Sequence, residues 1–229
     1  TAIGGAPTAY AANASGIGLA PQANGTRSVA IGSDAAAQTT DGVAIGYQAT
    51  ANGTRSFAFG YDAIAGSVSV ITNDSLALGY QSRAPGTSAT AINNSYASGT
   101  ASFAAAIGDN TATYGAKDTS AIAIGYQAKA TKTYSVAIGR NARINGDYGL
   151  ALGFSSYATK YGSSSIGYSP KSNTVAYGMS LGVIADGFAD DIGLELFQLQ
   201  CDTTDATPTI MSVGNTALVS VTDTLSPGA

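Results

Sequence analysis

The chain contains no histidine, no tryptophan and a single cysteine, Cys201, among its 229 residues. Without histidine, Ser-His-Asp and Cys-His catalysis and nearly all zinc sites are excluded, because each needs an imidazole as base or ligand. One cysteine cannot form an intrachain disulfide, so Cys201 is expected to be a small buried apolar residue. The sequence therefore predicts a protein that is not an enzyme and that uses no cofactor and no metal.

Charge is also scarce, since only 10% of the residues are charged and the formal net charge at pH 7 is −4. Nucleic acid binding needs clustered lysine and arginine, and this balance argues against it. No apolar run approaches the roughly 18–20 residues of a membrane span, so the segment is not expected to insert into a membrane. Hydrophobic residues make up 45% of the chain, but many are alanine, and 29 residues are glycine. Small residues therefore dominate the composition.

What the chain does have is a phrase of apolar residue, alanine, apolar residue and glycine that returns at a spacing of fourteen. Self-similarity at a short fixed period predicts a solenoid, in which each repeat forms one coil that packs on its neighbours. About 13 coils fit between residues 1 and 182. Clear copies of the phrase are Val29-Ala30-Ile31-Gly32, Val43-Ala44-Ile45-Gly46, Ile122-Ala123-Ile124-Gly125 and Val136-Ala137-Ile138-Gly139.

The spacing departs from fourteen at a few places in the middle of the chain. The closing residue of the phrase is expected at positions 60, 79, 93, 108 and 125. These positions predict extra residues at 66–74 and near 113–119. Loops can bulge outward there without interrupting the stack of coils.

Each coil is predicted to hold two short strands joined by tight turns. The first strand is the phrase itself, and the second follows its glycine, as in Gln48-Ala49-Thr50-Ala51. Asn-Gly pairs such as Asn24-Gly25 close the coil, since both residues accept positive φ at little cost. Successive coils are expected to pair as parallel strands about 4.8 Å apart, which makes an all-β parallel roll.

The two strands differ in how their faces are expected to be covered. On the second strand Ala49 and Ala51 face one way and Thr50 the other, so one face is expected to be buried and the other exposed to solvent. On the first strand neither face carries charge, which predicts that the roll covers one face and another chain covers the other. We expect Val and Ile to fill the roll and the Ser/Ala/Gly face to pack between chains, with the opposite assignment left open. The solvent-exposed face of the second strand also carries Arg83, Lys129 and Arg143, which are expected to be solvated.

The phrase Ser28-Val29-Ala30-Ile31-Gly32, followed by alternating alanines and an Asn-Gly turn, resembles the head repeats of trimeric autotransporter adhesins, the YadA-like heads. Similar repeats occur in phage tail fibres. The resemblance covers residues 1–182 and implies a left-handed parallel β-roll. It also implies a homotrimer in which the first strands face the three-fold axis.

The periodicity ends after Gly182, which predicts a connector at 183–194 and a C-terminal β-module at 195–229 that is expected to be incomplete. Strands are predicted at 195–201, 209–213 and 217–221. The stretch Thr203-Thr204-Asp205-Ala206-Thr207-Pro208-Thr209 resembles a short β-module near the ends of phage tail-fibre and other virion proteins. This resemblance favours a virion tail fibre, which contacts other fibre proteins, over a bacterial adhesin head that binds host matrix or cells.

Two features are candidates for contact with a glycan or protein receptor on a bacterial surface. One is the insertion that ends at Asn73 and Asp74, and the other is an aromatic residue directly after the closing glycine. Aromatic faces suit saccharide rings, and stacked coils would align these side chains along one edge. The aromatic positions are Tyr47, Tyr61, Tyr80, Tyr126, Phe154 and Tyr168.

Glycan cleavage by paired carboxylates is the enzymatic alternative, because such a pair supplies an acid and a base. Aspartates at turns and strand ends are the more ordinary interpretation of the same residues. The sequence as a whole favours a trimeric fibre segment that mediates or positions attachment to a bacterial surface. The carboxylate candidates are Asp186, Asp190, Asp191 and Glu195 after the repeats, or Asp62 and Asp74 beside the first insertion.

Overall fold

The computed structural model describes residues 1–67, 72–172 and 176–183, together with the backbone of three strands at 195–199, 209–213 and 216–220. Every regular element in this part of the chain is a β-strand. The load of glycine, serine and threonine explains this, because these residues are poor helix formers. The prediction of an all-β fold is confirmed.

One short strand from each coil joins a parallel sheet that runs the length of the repeats, and we call it the first-strand sheet. Its strands are the predicted phrases, and equivalent residues pair in register, Ala30 with Ala44 and Ala44 with Ala58. With strands numbered in chain order, they are β1 (Ala2–Ile3), β3 (Ser15–Ile17), β5 (Val29–Ile31), β7 (Val43–Ile45), β9 (Phe57–Phe59), β11 (Leu76–Leu78), β13 (Thr90–Ile92), β14 (Phe103–Ala105), β16 (Ile122–Ile124), β18 (Val136–Ile138), β20 (Leu150–Leu152), β22 (Ser164–Tyr168) and β24 (Met179–Val183).

The other strand of each coil is two residues long and also pairs in parallel, which makes the second-strand sheet. Isolated bridges from Arg83 to Tyr96 and from Ala97 to Ala116 connect its two halves. The predicted coil of two strands, stacked in parallel as a solenoid, is confirmed. The halves are β2 (Thr8–Ala9), β4 (Gln22–Ala23), β6 (Ala36–Ala37), β8 (Thr50–Ala51), β10 (Ile64–Ala65) and β12 (Arg83–Ala84), then β15 (Gly115–Ala116), β17 (Lys129–Ala130), β19 (Arg143–Ile144), β21 (Tyr157–Ala158) and β23 (Lys171–Ser172).

Beyond β24 the direction of pairing changes from parallel to antiparallel. β25 (Glu195–Leu199) pairs with β24, and β26 (Thr209–Val213) and β27 (Thr216–Ser220) extend the same sheet. The three strands predicted after the repeats are therefore present, with slightly different bounds. Cys201 and the candidate carboxylates Asp186, Asp190 and Asp191 lie outside the described residues, as does the side chain of Glu195.

The interior of the roll is built mainly from alanine and serine, with Ile107 and Ile144 also fully buried. From Ala30 to Ala151 the middle alanine of the phrase, such as Ala44, is 0% exposed, and so are Ala49 and Ala51 of the facing strand. Ser56 and Ser75 are buried beside them, with their hydroxyl oxygens 2.8 Å apart. A coil made of two short strands encloses so little space that a methyl or hydroxymethyl group fills it.

The expectation that valine and isoleucine fill the roll is wrong. Val29 and Ile31 are only partly covered, and Phe57 and Phe59 at the equivalent positions are 48% and 50% exposed. Because side chains alternate across a strand, the residues on either side of the buried alanine point to the opposite face. The narrow interior selects alanine, and the larger apolar side chains are therefore left on the outside.

Positive φ does not fall on the Asn-Gly pairs, as the sequence had suggested. After Asn24-Gly25 it falls at Arg27, with φ of 57°. The glycine has another role, because a Cβ on Gly25 would lie 1.9 Å from the carbonyl oxygen of Thr39 in the next coil. These glycines permit the close approach of stacked coils rather than an unusual backbone conformation.

One coil lies two residues away from its predicted place. Ala104 pairs with Ala91 and with Ala123, so the phrase ends at Ala106 rather than at Gly108. The extra residues then lie between β14 and β15, at 106–114, and not at 113–119. The sequence misplaced this coil because its phrase, Phe-Ala-Ala-Ala, has neither the second large apolar residue nor the glycine.

Candidate binding surfaces

The outward face of the first-strand sheet is uncharged from one end of the repeats to the other. It carries the first and third residues of each phrase, among them Val43, Ile45, Leu76 and Leu78. The two leucines are 36% and 40% exposed in the single chain. Apolar surfaces of this extent on soluble proteins mark sites of interaction, because leaving them in water is unfavourable.

A column of aromatic residues runs along the turn that follows the first strand. The ring centroids of Tyr47 and Tyr61 are 5.2 Å apart and those of Tyr61 and Tyr80 are 5.4 Å apart, with nearly parallel planes. The alignment expected from the sequence is therefore present. Since the rings cover one another's faces, the hydroxyl groups and ring edges are what the column offers to a ligand.

The same column continues in the C-terminal coils with an arginine inserted into it. The guanidinium carbon of Arg140 lies 5.8 Å from the ring centre of Tyr126 and 5.7 Å from that of Phe154. Phe154 in turn stacks on Tyr168 with centroids 4.9 Å apart. The arginine completes the column by a cation–π contact on each side, at the position where its neighbours supply an aromatic ring.

A second aromatic column, at the turn that follows the second strand, was missed by the sequence reasoning. Centroid distances are 5.2 Å from Tyr134 to Tyr148, 5.2 Å from Tyr148 to Tyr161 and 5.5 Å from Tyr161 to Tyr177. Desolvation beside the neighbouring rings raises the pKa of Tyr161. The signal in the sequence was tyrosine at 134 and 148, a spacing of fourteen outside the phrase.

In the N-terminal coils the same turn carries alternating charges instead of rings. Arg27 donates two hydrogen bonds to Asp41, both at 2.7 Å, and Arg55 donates two to Asp74, at 2.7 and 2.9 Å. These bonds hold the pKa of both carboxyl groups below the usual range. Asp74, a candidate for receptor contact, is thus already paired, and the backbone of its neighbour Asn73 bridges to Thr54.

The coil geometry agrees with a comparison to known families. The model of the YadA head domain repeat (2 copies) matches residues 9–35, 23–49, 37–63, 73–92, 116–142 and 145–169, which together make up more than half of the chain. The chain belongs to the YadA head repeat family. This family consists of adhesin-type fibre proteins exposed at a surface. A search of curated proteins finds no match to the chain.

The YadA head repeats bring no pair of catalytic carboxylates together at the first insertion. Asp62 lies 3.7 Å from Arg83 at one turn, whereas Asp74 is held by Arg55 at the other. A glycosidase acid needs a raised pKa, and that of Asp74 is lowered. Over the described residues, no three His, Cys, Asp or Glu side chains group as metal ligands, and no helix has the length and apolarity of a membrane span.

The tyrosine column of the YadA head repeats is expected to contribute to stability. Replacing Tyr61 by alanine removes stacking contacts to both Tyr47 and Tyr80, which should lower the free energy of unfolding by about 1–3 kcal/mol. Urea unfolding followed by circular dichroism measures this change. The control is Tyr10→Ala, because Tyr10 is 80% exposed and its loss should cost no more than about 0.5 kcal/mol. Equal effects of the two substitutions would contradict a structural role for the column.

Proposed function

We propose that the chain is a segment of a homotrimeric adhesive fibre that mediates or positions attachment to a bacterial surface. The observation that carries the proposal is the uncharged outward face of the first-strand sheet, which a single chain leaves in water. Family membership supports a trimer as the assembly that covers it. The three first-strand sheets then turn their Val, Ile, Leu and Phe side chains toward a common axis.

This arrangement leaves the two turns and the second-strand sheet of each chain on the outside of the rod. The exposed positions include Tyr47, Tyr61, Tyr80 and Tyr126, all between 44% and 53% exposed. The residues at the first insertion, Asn73 and Asp74, lie on the same outer surface. We propose that these groups contact a glycan or protein receptor, through ring edges, hydroxyls and polar groups rather than through ring faces. Three copies of a weak contact then act together as one multivalent attachment.

Within this class we assign the chain to a phage tail fibre, where neighbouring fibre proteins of the virion are its further partners. The resemblance of residues 203–209 to a virion β-module supports this choice, and those residues lie outside the described part of the chain. The family match supports a bacterial surface adhesin as the second candidate. Reading the gene around this segment separates the two, because an adhesin gene encodes a signal peptide and a membrane anchor, and a fibre gene lies among virion genes.

The test of the proposed function combines native mass with binding. The purified chain is expected to have the mass of a trimer and to be retained on bacterial cells or on their isolated polysaccharides. New reducing ends are measured in the same samples. Retention of a trimer without new reducing ends is the expected result. A folded monomer would contradict the assembly, and release of reducing ends would contradict the non-enzymatic assignment.

A further inference from the structure

The charges of this chain are unevenly distributed along the rod. Residues 117–171 contain seven of the ten lysines and arginines but only two of the fourteen acidic residues. The net charge of this stretch is +5, whereas that of the whole chain is −4. The C-terminal coils are therefore a cationic block in an acidic protein.

Part of this charge forms a stripe on the outer face of the second-strand sheet. Strand register pairs Lys129 with Arg143, Arg143 with Tyr157, and Tyr157 with Lys171, so the four residues occupy the same position in successive coils. The residue that follows each of them in its strand is buried, and because side chains alternate across a strand, the four lie on the solvent side. These buried residues are Ala130, Ile144, Ala158 and Ser172. We call these four residues the cationic stripe.

The stripe differs from the three arginines of the coils before it in having no acidic partner among the described residues. Arg27, Arg55 and Arg83 each lie within 4 Å of an aspartate carboxylate. Lys129, Arg143 and Lys171 have no such ion pair among the residues that the structure describes. Charges that are neutralised within the rod attract no ligand, whereas those of the stripe remain available for an anion.

Three adjoining grooves of about 250, 290 and 260 Å³ follow the stripe, and Tyr157 lines all of them. Its hydroxyl accepts a hydrogen bond from the Asn145 side chain at 2.7 Å, and the Lys171 ammonium lies 5.9 Å from its ring centre. Asn141 and Ser155 add uncharged polar groups to the lining. Among the described residues, no acidic side chain lines the grooves.

We infer that the cationic stripe binds an acidic polysaccharide laid along the rod. Such a polymer carries spaced carboxylates for the lysines and arginine, and hydroxyls for the tyrosine and amide groups. Its spaced charges suit cations that recur at one or two strand separations of about 4.8 Å. Duplex nucleic acid carries one charge per about 1.7 Å and is a poor match for so sparse a stripe on an acidic protein. This inference rests on the proposed trimer for the outward position of the second-strand sheets.

The experiment measures binding of the assembled protein to immobilised polygalacturonate, a polymer with one carboxylate per sugar, and to neutral dextran. Wild-type protein is expected to bind the first and not the second, with affinity that falls as salt is added. The double variant Lys129→Gln/Arg143→Gln should lose about tenfold or more in affinity, since three chains lose contacts together. The control Arg27→Gln/Arg55→Gln removes the same charge from ion-paired sites and should stay within about twofold of wild type.

Circular dichroism and native mass accompany each variant, so that a failure to fold or assemble is recognised. No binding by the wild type, or equal loss in the two double variants, would overturn the cationic stripe as a site. Tighter binding to duplex DNA or to phosphatidylserine vesicles would overturn the assignment to polysaccharide. If the protein is a trimer and does not bind polygalacturonate, only the binding role of the cationic stripe is refuted. If the protein is a monomer and binds polygalacturonate, only the proposed trimeric assembly is refuted.

Discussion

Replacing Val136 by aspartate is expected to separate the proposed trimer into folded monomers. Val136 lies on the outward face of the first-strand sheet, paired with Ile122 on one side and Leu150 on the other. Three copies of the new carboxylate would be brought together at an apolar seam, where burying each one costs several kcal/mol. Native mass should fall to that of one chain, while the β-sheet signal in circular dichroism remains.

Two further variants test the face assignment. Thr50→Asp places the same charge on the outer face of the second-strand sheet, and this variant should stay trimeric. Ala44→Asp places it in the roll, where Ala44 is 0% exposed, and should unfold the coils rather than separate folded chains. An intact trimer in the Val136→Asp variant would show that the outward face is not the seam.

Replacing Gly46 by alanine is the second change with a large expected effect, here on the stability of the roll. Gly46 has φ of +132°, and a Cβ added there would lie 2.3 Å from the carbonyl oxygen of Gly60 in the next coil. Because this contact is with backbone, neither a rotamer change nor a small shift relieves it. The free energy of unfolding should fall by about 3 kcal/mol or more per chain, from backbone strain and overpacking together.

Thermal unfolding followed by circular dichroism measures the effect, with Gly5→Ala as the control. At Gly5 the nearest atom to an added Cβ is the end of the flexible Leu19 side chain, at 3.0 Å. That variant should change stability by no more than about 1 kcal/mol. Similar melting temperatures for the two variants would contradict the close stacking at Gly46.

The period of the sequence was enough to predict the coil, its two strands and their parallel register. The period could not decide which face of the first strand lies inside the roll. Alternation places Val43 and Ile45 on one face and Ala44 on the other, but it does not say which of the two faces is buried. Which face is buried depends on the width of the roll's interior. That width is set by the way two short strands and two tight turns form one closed coil. At the middle of the first strand that width favours alanine, and this is a property of the whole coil rather than of the phrase.

The candidate binding surfaces were predictable where they shared the period of the phrase. The column from Tyr47 to Tyr80 follows the closing glycine and was found for that reason. The column from Tyr134 to Tyr177 was not, because its later spacings are thirteen and sixteen rather than fourteen. The cationic stripe was only partly visible, since a sequence does not tell which arginines have an aspartate beside them.

The alternating charges at the turn of the N-terminal coils restrict how this fibre can change its length during evolution. In the N-terminal coils the interior is mainly alanine and serine, so duplication or deletion of fourteen residues there leaves the core intact. Deleting the coil that carries Asp41, however, places Arg27 directly beside Arg55. Two coils must be gained or lost together to keep the alternation of sign. In the second aromatic column, from Tyr134 to Tyr177, every position is a tyrosine, and there the rod can grow or shrink by single coils.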